Sequence, residues 1–144
     1  MNSEIMKGQQ GSAILEALIA ILIFSIGILA IIGLQAASVS NSAAAKYRTD
    51  ASLLANQVIG QMWVADNATL AANFAGAQGA GGANYLAWIG KVEQTLPGPS
   101  TSPLNEPTIS FSGNTATITI YWRQASESSK HQYVTTALIN NTIE

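Results

Sequence analysis

From Ala13 to Leu34 the sequence presents 22 positions of almost unbroken apolar character, with Ala20-Ile21-Leu22-Ile23-Phe24 at its centre. As an α-helix such a run is about 33 Å long, enough to cross a hydrocarbon core of roughly 30 Å. No proline interrupts it, and its one ionisable residue, Glu16, lies near its start. Backbone groups in lipid have to be satisfied within the segment, so a continuous helix is the expected state. The run also accounts for a charged content of only 10%, against roughly 25% in an ordinary soluble protein.

Three readings of this segment compete. In the first it is a secretory signal peptide cut near Ala36-Ala37-Ser38. The apolar stretch is long for that role, and Glu4 and Lys7 cancel where a positive flank is expected. In the second it is a plain single-pass anchor. That explains the length but not Glu16, because a carboxylate inside a membrane costs roughly 2.5–3.5 kcal/mol even on lenient scales. In the third it is a retained N-terminal helix, exposed when a short polar leader is removed. Residues 1–11 are polar and end in Gly11; Ser12-Ala13-Ile14-Leu15-Glu16 and the apolar run follow.

A polar leader ending in Gly, then four residues, a Glu and a hydrophobic helix, resembles the class III signal of type IV prepilins and pseudopilins. The resemblance implies cleavage by a prepilin peptidase between Gly11 and Ser12, N-methylation of Ser12, and a role for Glu16 in filament assembly. The sequence departs from the family at three points. Ser12 stands where the first mature residue is usually Phe, Gly33 stands where major pilins often have a helix-bending Pro, and there are no cysteines to close a C-terminal loop.

Beyond the run no proline occurs until Pro97, so the helix is expected to continue. Tyr47, Ala51, Leu54, Val58, Met62 and Ala65 recur at steps of three and four, a one-faced stripe suited to packing on the chain's own sheet. From Ser12 to about Ala65 this helix would measure ~80 Å. Residues 66–83 are rich in Ala, Asn and Gly, and Gly79-Ala80-Gly81-Gly82 reads as a flexible loop. No strand precedes that glycine cluster and no Lys-Ser/Thr follows it, so it lacks the context of a phosphate cradle. Asn84 is expected to cap a short helix through about Leu96, with Tyr85, Trp88, Ile89, Val92 and Leu96 on one face. Pro97 to Pro107 reads as an irregular connection.

The remainder alternates as antiparallel β. Ile109 and Phe111 lead to a Gly113-Asn114 turn; Ala116, Ile118, Ile120 and Trp122 then alternate with Thr115, Thr117, Thr119 and Tyr121. A third strand is expected at about His131 to Ile139. Tyr47, Leu54, Val58, Met62, Trp88, Ile118, Ile120 and Trp122 are the expected core of the head. His131, without ligand-type neighbours in sequence, reads as a solvated side chain.

The chemistry available is narrow. The chain has no cysteine and one histidine, so disulfides, thiolate metal sites and most triads lack their parts. No cofactor, metal site, catalytic residue or small-molecule substrate is expected, and the chain does not read as an enzyme. A net charge of -2 offers no broad basic surface, so nucleic acid is not an expected partner.

The plan is α+β, a long N-terminal helix on a small C-terminal antiparallel sheet of three strands, as in the pilin fold. Ser25-Ile26-Gly27, Gly33-Leu34-Gln35, Leu53-Leu54-Ala55, Met62 before Asn67, Trp88 ahead of Leu96-Pro97-Gly98, and Ile118-Thr119-Ile120-Tyr121-Trp122-Arg123 are similar to PilV-type minor pilins. That resemblance implies a leader at 1–11, a transmembrane and filament-core helix at 12–36, and a periplasmic head at 37–144. It implies a minor subunit of the type IV pilus, helping to prime assembly and sitting in the tip complex, with consequences for motility and adhesion. Expected partners are the prepilin peptidase and methyltransferase, the bacterial inner membrane before assembly, other minor and major pilins, and a tip adhesin. Small residues Ala13, Ala17, Ala20, Gly27 and Ala30 recur along the helix, interrupted by Phe24. They either let helices approach closely or reflect ordinary membrane-helix composition. A pseudopilin of a type II secretion machine carries a similar helix and signal and is one alternative. A single-pass anchored binding domain, which would keep its first eleven residues, is the other.

Overall fold

A computed structural model describes residues 10–98, 106–125 and 127–139. The leader at 1–11 falls almost wholly outside the described residues, as does most of the Pro97–Pro107 connection. The chain divides into two units, Met1–Ala43 and Ala44–Glu144.

The first unit consists of the N-terminal part of helix α1, which spans Gln10–Trp63. Every residue from 12 to 42 is exposed, including Phe24 at 69% and Ile14 at 64%. One polar group in the run is satisfied locally: the Ser25 hydroxyl donates to the Ile21 carbonyl at 2.7 Å. An 18-residue window within the helix is apolar enough to cross a membrane and is not buried at all within the protein.

The second unit has its own core. The C-terminal half of α1 buries Ala51, Leu54, Ala55, Val58, Ile59 and Met62, and Tyr47 and Ala65 pack beside them half-buried. The stripe is therefore one row wider than the sequence reading, because Ala55 and Ile59 lie next to Leu54 and Val58 on the wheel. Lys46, Thr49, Asn56, Gln57 and Gln61 face outward. The helix ends where the Asp66 carboxylate accepts the Ala68 N–H at 3.0 Å, an Asx-type turn that competes with helix continuation.

The Gly/Ala-rich segment is not a flexible loop. It forms helix α2 (Leu70–Phe74), strand β1 (Gly76–Ala77) and strand β2 (Ala80–Gly81). Gln78 and Gly79 both have positive φ, 54° and 72°, as a two-residue hairpin turn of the primed type requires. The glycines matter for closeness as well. A Cβ on Gly76 or Gly81 would overlap the Tyr85 ring, which lies flat against this hairpin.

Helix α3 (Ala83–Thr95) follows, and its N-cap is Gly82 in extended conformation without a side-chain cap bond. Asn84 thus sits inside the helix and is exposed, contrary to the expected capping role. Its buried face is Tyr85, Trp88, Ile89 and Val92, with Leu96 just beyond. The Trp88 indole N–H donates to the Leu54 carbonyl at 3.0 Å, pinning α3 to α1.

Strands β3 (Thr108–Ser112), β4 (Thr115–Trp122) and β5 (His131–Leu138) form the expected meander. The sheet has five strands rather than three, because the β1–β2 hairpin joins it through Gly76 opposite Ile109. All pairings are antiparallel, in the order β2-β1-β3-β4-β5. On β4 the burial alternates strictly, placing Ala116, Ile118, Ile120 and Trp122 on the α1–α3 side. The opposite face carries Thr108, Ser110, Thr117, Thr119 and Thr136, which are polar without charge.

Candidate functional site

Two places in the molecule carry groups that the core does not explain. The first is the start of α1. Among the described residues from Ser12 to Ala45, Glu16 is the one ionisable side chain. It is exposed and makes no hydrogen bond or ion pair with another described residue. Its helical neighbours at three- and four-residue spacing are Ser12, Ala13, Ile19 and Ala20, all exposed and all but Ser12 apolar. A charge in this setting has to meet a partner outside the chain if the helix is in lipid or in a protein core. Gly11 and Ser12 are within α1.

Ala17, Gly27 and Ala30 are exposed on the same helix. A Cβ placed at Gly27 or Gly33 would meet nothing within 4 Å, so neither glycine is there to fit a neighbour in this chain.

The second place is the end of the sheet where β4 stops and β5 begins. His131 is half-buried rather than freely solvated: its imidazole stacks on Trp122 with ring centroids 5.7 Å apart, and its Nε2 meets the Glu127 carboxylate at 2.5 Å. Trp122 reaches it through the β4–β5 pairing, whereas Glu127 lies four residues earlier and was within reach in the sequence. Trp122 is only 4% exposed, yet its indole N–H has no acceptor among the described residues. The buried Gln124 amide nitrogen and one buried oxygen of Glu106 likewise have no partner among the described residues. Arg48 of α1 stands beside Trp122 and His131, exposed and without an ion pair among the described residues.

The expected core residues lie where core residues should. Val58, Met62, Ile118 and Ile120 are fully buried; Leu54, Trp88 and Trp122 are nearly so, and Tyr47 is half-buried. The Tyr85 phenol donates to the Pro107 carbonyl at 2.6 Å. Burial pushes its pKa up; a main-chain hydrogen bond involving Gly79 acts against that shift, and the charges of Glu106 and Glu93 add to it. Among the described residues no group of three or more His, Cys, Asp or Glu could hold a metal ion.

A long N-terminal helix followed by a small antiparallel sheet makes this an α+β, pilin-like fold. No family model, curated protein or solved structure matches the chain.

Proposed function

We infer that this protein is a minor subunit of a type IV pilus, held in the inner membrane by α1 before assembly and then drawn into the filament. The observation that carries the reading is Glu16. A carboxylate without a partner among the described residues lies in an otherwise uncharged apolar stretch of α1, five residues after the Gly11 that closes a polar leader. Removal of that leader creates a positive amine on Ser12. When subunits stack, one subunit's amine meets the Glu16 carboxylate of its neighbour, and two charges that are costly in an apolar filament core neutralise each other. Repeating one heterologous contact of this kind generates an open helical polymer. The head, with its own core, faces the periplasm, takes part in the tip complex with other minor pilins and a tip adhesin, and performs no catalysis.

The test is the N-terminus of the protein extracted from membranes of its native host. Mass analysis should find a chain that begins at methylated Ser12 and lacks residues 1–11. A chain that begins at Met1 or beyond Ser38 would refute the reading.

A further inference from the structure

Strand β5 ends the sheet, and no other described strand pairs with its outer side. The hydrogen bond from Ile139 N–H to the Asn114 carbonyl, 2.8 Å, fixes the phase of the β4–β5 ladder. Because bonded and non-bonded pairs alternate in an antiparallel ladder, His131, Tyr133, Thr135 and Ala137 bond to β4. Gln132, Val134, Thr136 and Leu138 then direct their main-chain groups away from it. The Leu138 carbonyl is taken by the Trp63 indole N–H at 3.3 Å, which agrees with that phase. Gln132, Val134 and Thr136 remain as an open row of donors and acceptors. The usual protections of an edge strand are missing: β5 contains no Lys and no Pro, and its eight-residue register with β4 has no bulge.

This edge leads into the second site. A groove of about 350 Å³ lies between α1 and the start of β5, lined by Ala44, Ala45, Arg48, Trp122, His131 and Gln132. Its chemistry is one-sided. Arg48 brings an exposed guanidinium that has no ion pair among the described residues. The nearby carboxylate, Glu127, is already engaged by His131.

We propose that the β5 edge and this groove together bind an extended acidic segment of another protein, which adds to the sheet as a sixth strand and places a carboxylate on Arg48. A strand laid along β5 points every second side chain to the same side as His131 and Tyr133. That is the side where α1 lies, as the contact between the Tyr133 and Ser52 hydroxyls shows. Near His131 such a side chain enters the groove, where the alanines leave room and the guanidinium fork suits two carboxylate oxygens. Main-chain pairing supplies affinity and the groove supplies selectivity, the usual division in strand addition. This inference does not depend on the pilus reading.

The test uses the full chain in detergent micelles and fluorescent short peptides of alternating Val and Thr. One Glu is moved through each position of the peptide, and a matched set carries Gln. In low salt at least one Glu peptide should bind about three- to tenfold more tightly than its Gln partner, as befits one partly exposed ion pair. Arg48→Gln should erase that difference and leave the Gln peptides unchanged. Val134→Pro removes an N–H that points off the sheet, a position where edge strands tolerate proline, and should abolish binding of both sets while the thermal melt stays cooperative. The same peptides N-methylated at alternate residues should not bind the unaltered chain, a check that needs no variant to fold. Absence of binding, equal affinity of the Glu and Gln sets, a preference that survives Arg48→Gln, or binding by the N-methylated peptides would each overturn the proposal.

Discussion

At Glu16 a carboxyl group stands among exposed alanines and isoleucines, so replacing it isolates one physical effect. Glu16→Leu removes a charge that lipid disfavours by roughly 2.5–3.5 kcal/mol, so membrane insertion should be equal or better. Cleavage after Gly11 should persist, because the carboxylate acts only once Ser12 has a free amine to meet. Incorporation into sheared pili should fail. Normal incorporation would remove the charge-pair mechanism, and loss of cleavage would reassign Glu16 to peptidase recognition. Tyr85 offers a test within the head. Its phenol is harder to ionise in the fold than in the unfolded chain, chiefly through burial. The folded state therefore holds its proton more tightly, and this contribution is complete below the unfolded value of about 10 and is lost as the pH rises through the higher folded value. The melting temperature should fall on going from pH 9 to pH 12, and less steeply in Tyr85→Phe. Parallel curves for the two proteins would show that Tyr85 is not responsible. Gly76→Ala should destabilise the head by about 1–3 kcal/mol, since the new methyl group collides with the Tyr85 ring; chemical denaturation measures it.

Among the elements, those with a sustained period were readable and those built by contact were not. The second half of α1 declared itself through Tyr47, Ala51, Leu54, Val58 and Met62, and β4 through strict alternation from Ala116 to Trp122. Strands β1 and β2 have two residues each, without a β-branched or aromatic side chain, so no pattern could mark them. They exist because Gln78 and Gly79 adopt the turn and because Tyr85 fits against Gly76 and Gly81. The start of α3 was misplaced for the same reason. Gly82 sits against the Ala72 and Asn73 carbonyls, too close for any side chain, so packing rather than a capping side chain sets the boundary. The expected meander already put β5 at an edge; what no strand encoded is that the β1–β2 hairpin joins the sheet at β3 and leaves that edge open. Arg48 and His131 came together only through the strand order. Leu54 is 8% exposed and has the Trp88 indole on its carbonyl. Leu54→Asp removes about 1.5–3 kcal/mol of burial and adds an unpaired charge, so the head should unfold, as circular dichroism would report. A Leu54→Asp head with an unchanged melt would mean that the stripe faces solvent or other subunits.

Taken whole, the chain joins a helix segment that buries nothing of its own to a head that buries a complete core. The unit Ala44–Glu144 contains every buried hydrophobic residue of the described protein. A fragment beginning near Ser40 should therefore be soluble and cooperatively folded without metal or reductant. The apolar surface of residues 12–34 has no partner among the described residues. Lipid can cover it before assembly, and neighbouring helices can cover it in a filament. The uncharged run was legible as one long apolar helix, whereas the surfaces of the head were not, since they form only in the fold. The most direct test of the account is mass spectrometry of pili sheared from the native host and purified away from membranes. The account predicts peptides of this head in that fraction, at a small fraction of the major subunit, with the N-terminal peptide starting at Ser12. Finding the protein only in the membrane, starting at Met1, in cells that make normal pili would contradict it.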